Sequence, residues 1–587
     1  MCGIVGYIGF RSAKEVLLKS LKRLEYRGYD SAGVAIVNGK INIAKKKGYI
    51  DSLEFGFDGT LGIGHTRWAT HGVPEDRNAH PFLDCKGDIA IVHNGIIENY
   101  MVLKEELVNR GHKFTSDTDS EVIAHLIEEY YQGDFKEAFL KAVRELKGSF
   151  AIVAINKNER KIMAAKKDSP LVIGVGDHEN FVASDIPAFL EYTNRVIVMK
   201  DGEISELTDD IVHFYDFNGR NIEKKNVEII NWSIEDAEKS GYPHFMLKEI
   251  FEQPRALDST LHSLLSRNDM DFDFERVTIV ACGTSYHAGL VGKYLIEELL
   301  QIPVDVYYAS EYRYRPDVVE DSLAIFITQS GETADTIAAA RKAKVSGNET
   351  LAITNVVGSS ITSYVDRVLY TNAGPEIGVA ATKTFTAQLL ALEYFAIRAG
   401  ESMGKLSVSQ VRNFINSLRK IPLYVENTLN LNDIIEKEAK KIYKNKDMFF
   451  IGRSMNYPIA LEGALKMKEI SYIHAEGYPA GELKHGPLAL IEEGIPVIAL
   501  VPEDITYDKM LSNIKEVSAR NAYVIGVSSN MDVGKYVDTL IKVPETELYL
   551  SPFVNVVVLQ LLAYHAARLL GRDIDKPRNL AKSVTVE

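Results

Sequence analysis

Two strand-and-turn segments in the second half of the chain constrain its fold more than any other feature. Val277-Thr-Ile-Val-Ala-Cys-Gly283 is largely apolar and ends in a small-residue turn, with a helical stretch expected from Ala288. Met448-Phe-Phe-Ile-Gly-Arg453 repeats the plan, with a helical stretch from Pro458. A second apolar run follows each, at 323–328 and 496–501. Strands with no wet face need cover on both sides, the mark of a parallel sheet built from βαβ units. Its appearance twice predicts two α/β modules, dividing near residue 430.

The first half has a different texture. Short strands rich in Ile and Val are punctuated by glycines, with helices expected over 102–110 and 120–131. Asp117 and Asp119 are cap candidates for the second helix. The segment 221–241 is charged and weakly periodic, which suits a linker or an entry helix. A chain of 587 residues exceeds one core. The expected division is 1–217, a linker at 218–245, modules at 246–430 and 431–575, and a tail at 576–587. By composition alone that tail reads as frayed, with Lys582 solvated.

A composition of 46% hydrophobic and 25% charged residues is that of a soluble globular protein. The formal charge of -14 argues against nucleic acid or an anionic membrane as main partner. It does not exclude a small phosphate held by backbone donors. Three cysteines, Cys2, Cys85 and Cys282, make no disulfide framework. With no basic region and apolar core at the N-terminus, a cytoplasmic location is expected. The apolar run 553–570 carries Asn555, Gln560 and His565 and reads as a buried helix.

Loss of Met1 would make Cys2 the N-terminal residue. Its neutral α-amine could then take the thiol proton through a water, giving nucleophile and base on one residue. Further on come His65-Thr-Arg-Trp-Ala-Thr-His-Gly72, His93-Asn-Gly-Ile-Ile-Glu-Asn99 and Ser116-Asp-Thr-Asp-Ser-Glu121. Singly, these admit a surface arginine, a core tryptophan and an Asn-Gly turn. A glutaminase needs a thiolate, oxyanion donors, and charges complementary to an amino acid. Asn94 and the Gly95 N–H can donate; Arg67 can hold a carboxylate and Asp119 an ammonium. Taken in order, the segments resemble the class II glutamine amidotransferase domain, an αββα Ntn-hydrolase. The resemblance implies Cys2 as nucleophile, Asn94 and Gly95 as oxyanion hole, and Arg67, His71, Gly95 and Asp119 around glutamine. It makes Trp68 the gate of an ammonia path.

In the second half, Cys282-Gly-Thr-Ser-Tyr286 and Thr328-Gln-Ser-Gly-Glu-Thr333 each follow a strand and open a helix. One such loop is ordinary capping, but two on neighbouring strands suit a phosphate. No nucleotide-binding glycine signature is present. Glu462, Lys466 and Glu469 share one helix face. A surface salt-bridge ladder is the ordinary result, but the helix is otherwise apolar, which suits proton transfer in a half-buried cleft. The segment Gly481-Glu-Leu-Lys-His-Gly-Pro487 places a glycine-flanked His485.

This half resembles the tandem sugar isomerase (SIS) modules of the glutamine–fructose-6-phosphate aminotransferase family. The resemblance implies that Thr284, Ser285, Thr328, Gln329, Ser330 and Thr333 hold phosphate. Val379, Ala381, Lys466 and Ala581 line the sugar site. His485 opens the sugar ring from the other subunit of a homodimer, Lys582 forms a Schiff base, and Glu469 moves the C1/C2 proton. Thr328 stands where many members have serine, which keeps the hydroxyl. No cofactor and no metal is expected, since the ketose supplies its own carbonyl for the imine. Amidotransferases with a phosphoribosyl or ATP-activated acceptor would need a loop the sequence lacks. A glutaminase gated by a sugar-phosphate sensor would not need Lys582, Glu469 and His485.

Overall fold

The computed structural model describes residues 2–68, 73–223, 225–230, 238–267, 271–316 and 322–585. The first half is two antiparallel sheets stacked face to face. The eight-stranded sheet runs Glu228–Ile229, Arg195–Val198, Val172–Val175, Asn180–Ala183, Gly3–Ile8, Leu61–Arg67, Ser31–Asn38, Lys40–Lys47. The seven-stranded sheet runs Asn221–Ile222, Val212–Asp216, Glu203–Leu207, Ile162–Lys167, Gly148–Asn156, Ile89–Ile97, Phe82–Leu83. Strand alternation explains the layers. Ile4 and Ile63 from one sheet meet Val92 and Val153 from the other, while Val5 and Tyr7 turn outward onto Val16, Leu17 and Leu21 of the helix Ala13–Arg23. Helices Glu121–Tyr130 and Phe135–Glu145 cover the far face of the second sheet. The result is the expected αββα sandwich.

The second half holds two five-stranded parallel sheets with the same strand order. The first runs Val304–Tyr308, Arg276–Ala281, Ser322–Thr328, Glu349–Thr354, Arg367–Tyr370. The second runs His474–Pro479, Asp447–Gly452, Pro496–Leu500, Tyr523–Ser528, Thr539–Lys542. One apolar core serves both, with residues from helices Gly283–Leu300, Lys383–Ser402, Asn456–Ser471 and Ser551–Leu569. The last of these is apolar enough to cross a membrane by length and composition, yet its apolar window is fully buried inside the protein.

Several local expectations need correction. The first module's helix begins at Gly283, not Ala288, and the second's at Asn456, not Pro458. The small residues after the first strand therefore form the helix's own first turn, which sets Thr284 and Ser285 at the sheet edge. Neither Asp117 nor Asp119 caps the helix Glu121–Tyr130. Asp119 accepts the Ile97 N–H at 2.7 Å and Asp117 pairs with Arg77 at 2.6 Å. The segment read as a linker supplies the strands Asn221–Ile222 and Glu228–Ile229, each at a sheet edge. The tail is not frayed: Val584 C=O accepts the Ala334 N–H at 3.0 Å, and the Lys582 side chain is only 4% exposed.

Candidate active site

The thiol sits where the two antiparallel sheets converge. Cys2 leads into the central strand Gly3–Ile8, whose pairing of Gly3 with Thr66 brings it beside Arg67 and Trp68. Trp68 N–H donates to Cys2 Sγ at 3.2 Å. Asn94 and Gly95 lie on Ile89–Ile97 of the facing sheet, and Asn94 Nδ2 donates to Cys2 C=O at 2.9 Å. His65 holds that amide: its Nε2 lies 3.0 Å from Asn94 Oδ1 and 3.1 Å from His93 C=O. Both partners are acceptors, so Nε2 carries the proton. Burial drives the His65 pKa down to about 3, so the ring stays neutral. A neutral donor fixes Asn94 with its NH2 toward the Cys2 carbonyl. Nothing in the sequence singled out His65 beyond its place in the His65-to-Gly72 segment.

Gly95 has φ +120°, and an added Cβ would lie 2.1 Å from the Ser149 carbonyl oxygen. No side chain fits there without moving the neighbouring strand Gly148–Asn156. Gly95→Ala is therefore expected to cost about 1–3 kcal/mol of stability and to lower glutaminase kcat. Thermal unfolding beside glutamine turnover checks both, and an alanine variant of normal stability and rate would remove Gly95 from the site.

Arg67 and Asp119 are both buried, each 4% exposed. Burial pushes the Arg67 guanidinium pKa down, opposed by Cys2, Asp30 and Asp119. A buried cation and a buried carboxylate near a thiol are the charges that the carboxylate and ammonium of a free amino acid would require. His71 lies outside the described residues.

Beyond the thiol, Trp68 meets Tyr29 edge to face, with ring centroids 5.5 Å apart at 84°. The Tyr29 hydroxyl donates to Pro577 C=O at 3.3 Å, and Lys576 Nζ pairs with Glu25 at 2.6 Å. The tail is thus fastened to the thiol's own surroundings. Arg27, which donates to Cys2 C=O at 3.3 Å, also lines a cavity of about 70 Å³ with Gln329, Ser330, Glu376 and Lys582.

At the far end of that cavity the first parallel sheet presents its loops. Thr328 Oγ1 accepts the Gly331 N–H at 3.2 Å and lies 3.3 Å from Thr333 Oγ1, while Ser330 Oγ accepts the Glu332 N–H at 3.1 Å. Thr284 and Ser285 stand at the end of the adjacent strand, since Ala281 pairs with Ile327. Thr284 Oγ1 is already engaged, donating to Glu462 at 3.0 Å and accepting from Lys466 at 3.1 Å.

Glu462 and Lys466 are fully buried, which rules out a surface ladder. His287 Nδ1 lies 2.7 Å from Glu462, a partner the sequence reading missed. Burial pushes the Glu462 carboxyl up, but Lys466 and His287 outweigh it and hold it below the usual carboxylate range. Lys466 also reaches Glu469 at 2.5 Å. Glu469 is the only partly exposed member of the trio, at 21%.

Lys582 Nζ pairs with Glu376 at 2.5 Å and donates to Gly378 C=O at 2.8 Å. Glu376 also accepts from Thr382, and from both the N–H and hydroxyl of Thr384. Burial raises its pKa, and the Lys582 ammonium more than offsets this, keeping the carboxylate charged. Beside it, burial and the Glu376 charge push Glu249 up to about 8. Glu376 opens the segment that sequence reading used only for Val379 and Ala381. Those two and Ala581 are half-buried nearby, with Val379 N–H donating to Asp575 C=O at 3.2 Å. His485 ends the turn Ala480–His485 and is exposed; among the described residues no hydrogen bond joins it to Lys582 or Glu469.

Comparison with known proteins agrees with this arrangement. Residues 1–215 match the glutamine amidotransferase domain family, and 272–398 and 441–570 each match the SIS domain family. The chain is 54% identical over 601 residues to the glutamine–fructose-6-phosphate aminotransferase (isomerizing) of Aquifex aeolicus, covering 100% of both. It is 53% identical over 602 residues to that of Thermococcus kodakarensis, again over 100% of both. Among solved structures, the C-terminal domain of glucosamine-fructose-6-phosphate aminotransferase from Francisella tularensis matches 58% of this chain and 100% of its own. That match has a TM-score of 0.55 and 42% identity. The chain belongs to the glutamine–fructose-6-phosphate aminotransferase family.

Proposed function

We propose that the chain carries nitrogen from glutamine to fructose 6-phosphate, releasing glutamate and glucosamine 6-phosphate. One observation carries the reading: the cavity lined by Arg27, which touches Cys2, is also lined by Lys582. Cys2 Sγ attacks the glutamine carboxamide carbon, and the oxyanion is received by Asn94 Nδ2 and the Gly95 N–H. Ammonia leaves, and water then hydrolyses the thioester to glutamate. The α-amine freed by loss of Met1 serves as base.

In bulk water at neutral pH ammonia is mostly protonated and unreactive, so a route shielded from solvent is required. The cavity has room for a molecule the size of ammonia or water; Arg27 and the tail residues Lys582 and Ser583 are among its walls, and Trp68 stands outside it, between the thiol and Tyr29. At the sugar site Thr284, Ser285, Thr328, Gln329, Ser330 and Thr333 hold the phosphate. Lys582 forms an imine with the C2 ketone and ammonia displaces it. Glu469 moves the proton from C1 to C2 to give the aldose. His485, exposed here, opens the sugar ring of a second copy in a homodimer. Three unpaired cysteines favour a reducing, cytoplasmic setting.

Incubation with amide-15N glutamine and fructose 6-phosphate should yield 15N amino sugar. Glutamate without labelled amino sugar would instead support a glutaminase gated by a sugar-phosphate sensor. Glu469→Gln should leave fructose 6-phosphate binding nearly unchanged and slow isomerisation by roughly a hundredfold or more. Exchange of solvent tritium into the sugar reads this out, and exchange at the wild-type rate would reduce Glu469 to a partner of Lys466.

A further inference from the structure

Apart from the residues assigned to the thiol chemistry, three segments of the first domain bring four metal-ligand atoms to one point. Cys85 comes from the turn between Phe82–Leu83 and Ile89–Ile97, His112 follows the helix Tyr100–Asn109, and His125 and Glu128 lie one turn apart on Glu121–Tyr130. Their ligand atoms all lie within 4.8 Å of one another. Cys85 Sγ is 3.7 Å from His112 Nδ1 and 3.5 Å from His125 Nδ1, and the two Nδ1 atoms are 3.4 Å apart. Glu128 Oε2 is 3.2 Å from His112 Nδ1 and 3.6 Å from His125 Nδ1. A tetrahedral zinc with Zn–N of about 2.0–2.1 Å and Zn–S of about 2.3 Å spaces its ligands by about 3.4–3.6 Å. Five of the six ligand separations, 3.2–3.7 Å, bracket that spacing.

The surroundings are built for the same purpose. His112 Nε2 lies 3.1 Å from Glu129 Oε2, an acceptor, so the neutral ring turns its Nδ1 lone pair inward. Lys113 N–H donates to Cys85 Sγ at 3.4 Å, and Cys85 N–H donates to Glu128 Oε2 at 2.9 Å. The side chains of His112, His125 and Glu128 are 8%, 1% and 8% exposed, while Cys85 is exposed and gives a route in. Once the Cys85 thiol gives up its proton, one divalent cation can satisfy the four clustered ligand atoms together.

We propose that Cys85, His112, His125 and Glu128 form a structural zinc site. Binding releases the Cys85 thiol proton and ties a turn, a loop and a helix together. His125 Nε2 faces Glu121 at 3.8 Å, and the Glu121 carboxylate holds the backbone and hydroxyls of Thr115 and Ser116. That loop leads directly to Asp119, so the metal would brace the residue assigned to the glutamine ammonium. The site is independent of the sugar chemistry.

Full-length protein purified without chelator should carry about one zinc per chain by elemental analysis, the stoichiometry of a closed four-ligand site. Cobalt(II) added to metal-stripped protein should give the intense visible bands and thiolate charge-transfer band of a tetrahedral cysteine site. Both should fall to background in Cys85→Ser. Glu129→Gln, which keeps all four ligands, should weaken zinc binding about 10–100-fold and so tests the site even if Cys85→Ser does not fold. Chelation should lower the unfolding temperature of wild type. Cobalt spectra lacking the thiolate band, or equal zinc content in wild type and a folded Cys85→Ser, would overturn the assignment.

Discussion

Cys2→Ala removes glutamine hydrolysis, by at least about ten-thousandfold, because no second nucleophile takes over when the attacking atom of a covalent mechanism is lost. The same variant binds fructose 6-phosphate normally. Cys2 itself lies outside the apolar cluster beneath the sugar site, and alanine is smaller than the residue it replaces. Slow synthesis from high external ammonia should persist, since the sugar-side residues are untouched. Glutamate release is the measurement, with fructose 6-phosphate binding as the control for folding. Continued hydrolysis would move the nucleophile elsewhere, and with it the roles given to Asn94 and Gly95.

Lys582→Arg keeps the positive charge against Glu376 and so keeps the buried carboxylate paired. An arginine cannot form the imine. Synthesis should fall by roughly a thousandfold or more, as for loss of a covalent catalyst, while the chain remains folded. In wild type, borohydride added with fructose 6-phosphate should fix the sugar on Lys582, identified by peptide mass. The ion pair sets a condition on this chemistry: attack requires an uncharged ε-amine, so the proton must first pass to a neighbour. Glu376 is in contact and already accepts three other donors; Glu249, with its pKa pushed up to about 8, stands next to it. An adduct mapped to Lys466, or undiminished synthesis by the arginine variant, would overturn the assignment.

The sequence was most informative where a local pattern carries the physics. Apolar runs between helices predicted both parallel sheets, and the repeated plan predicted two similar modules, whose shared strand order only the structure supplied. The expected αββα sandwich matches the two stacked antiparallel sheets. Features that depend on contacts distant along the chain were illegible. His65 holding Asn94, His287 meeting Glu462 and Glu376 receiving Lys582 all join residues whose separate neighbourhoods look ordinary. The tail reads as polar and aperiodic because its order comes from partners elsewhere: Glu25, Tyr29, Ala334 and Glu376. The aspartates near residue 120 misled because capping is a short-range rule, and the Ile97 N–H offered Asp119 a buried partner from another strand.

The seam at Tyr29 has a thermodynamic consequence. One ring touches both Trp68, whose N–H holds the thiol, and Pro577 of the tail that carries Lys582. If occupation of the sugar site shifts the tail, Tyr29 transmits the shift to the glutamine site, and the two ligands cease to bind independently. Around a closed cycle the free energies must sum to zero, so the factor by which sugar phosphate changes glutamine affinity equals the factor by which glutamine changes sugar-phosphate affinity. If sugar phosphate tightens glutamine binding, glutamine tightens retention of sugar phosphate by the same factor, through the same contact.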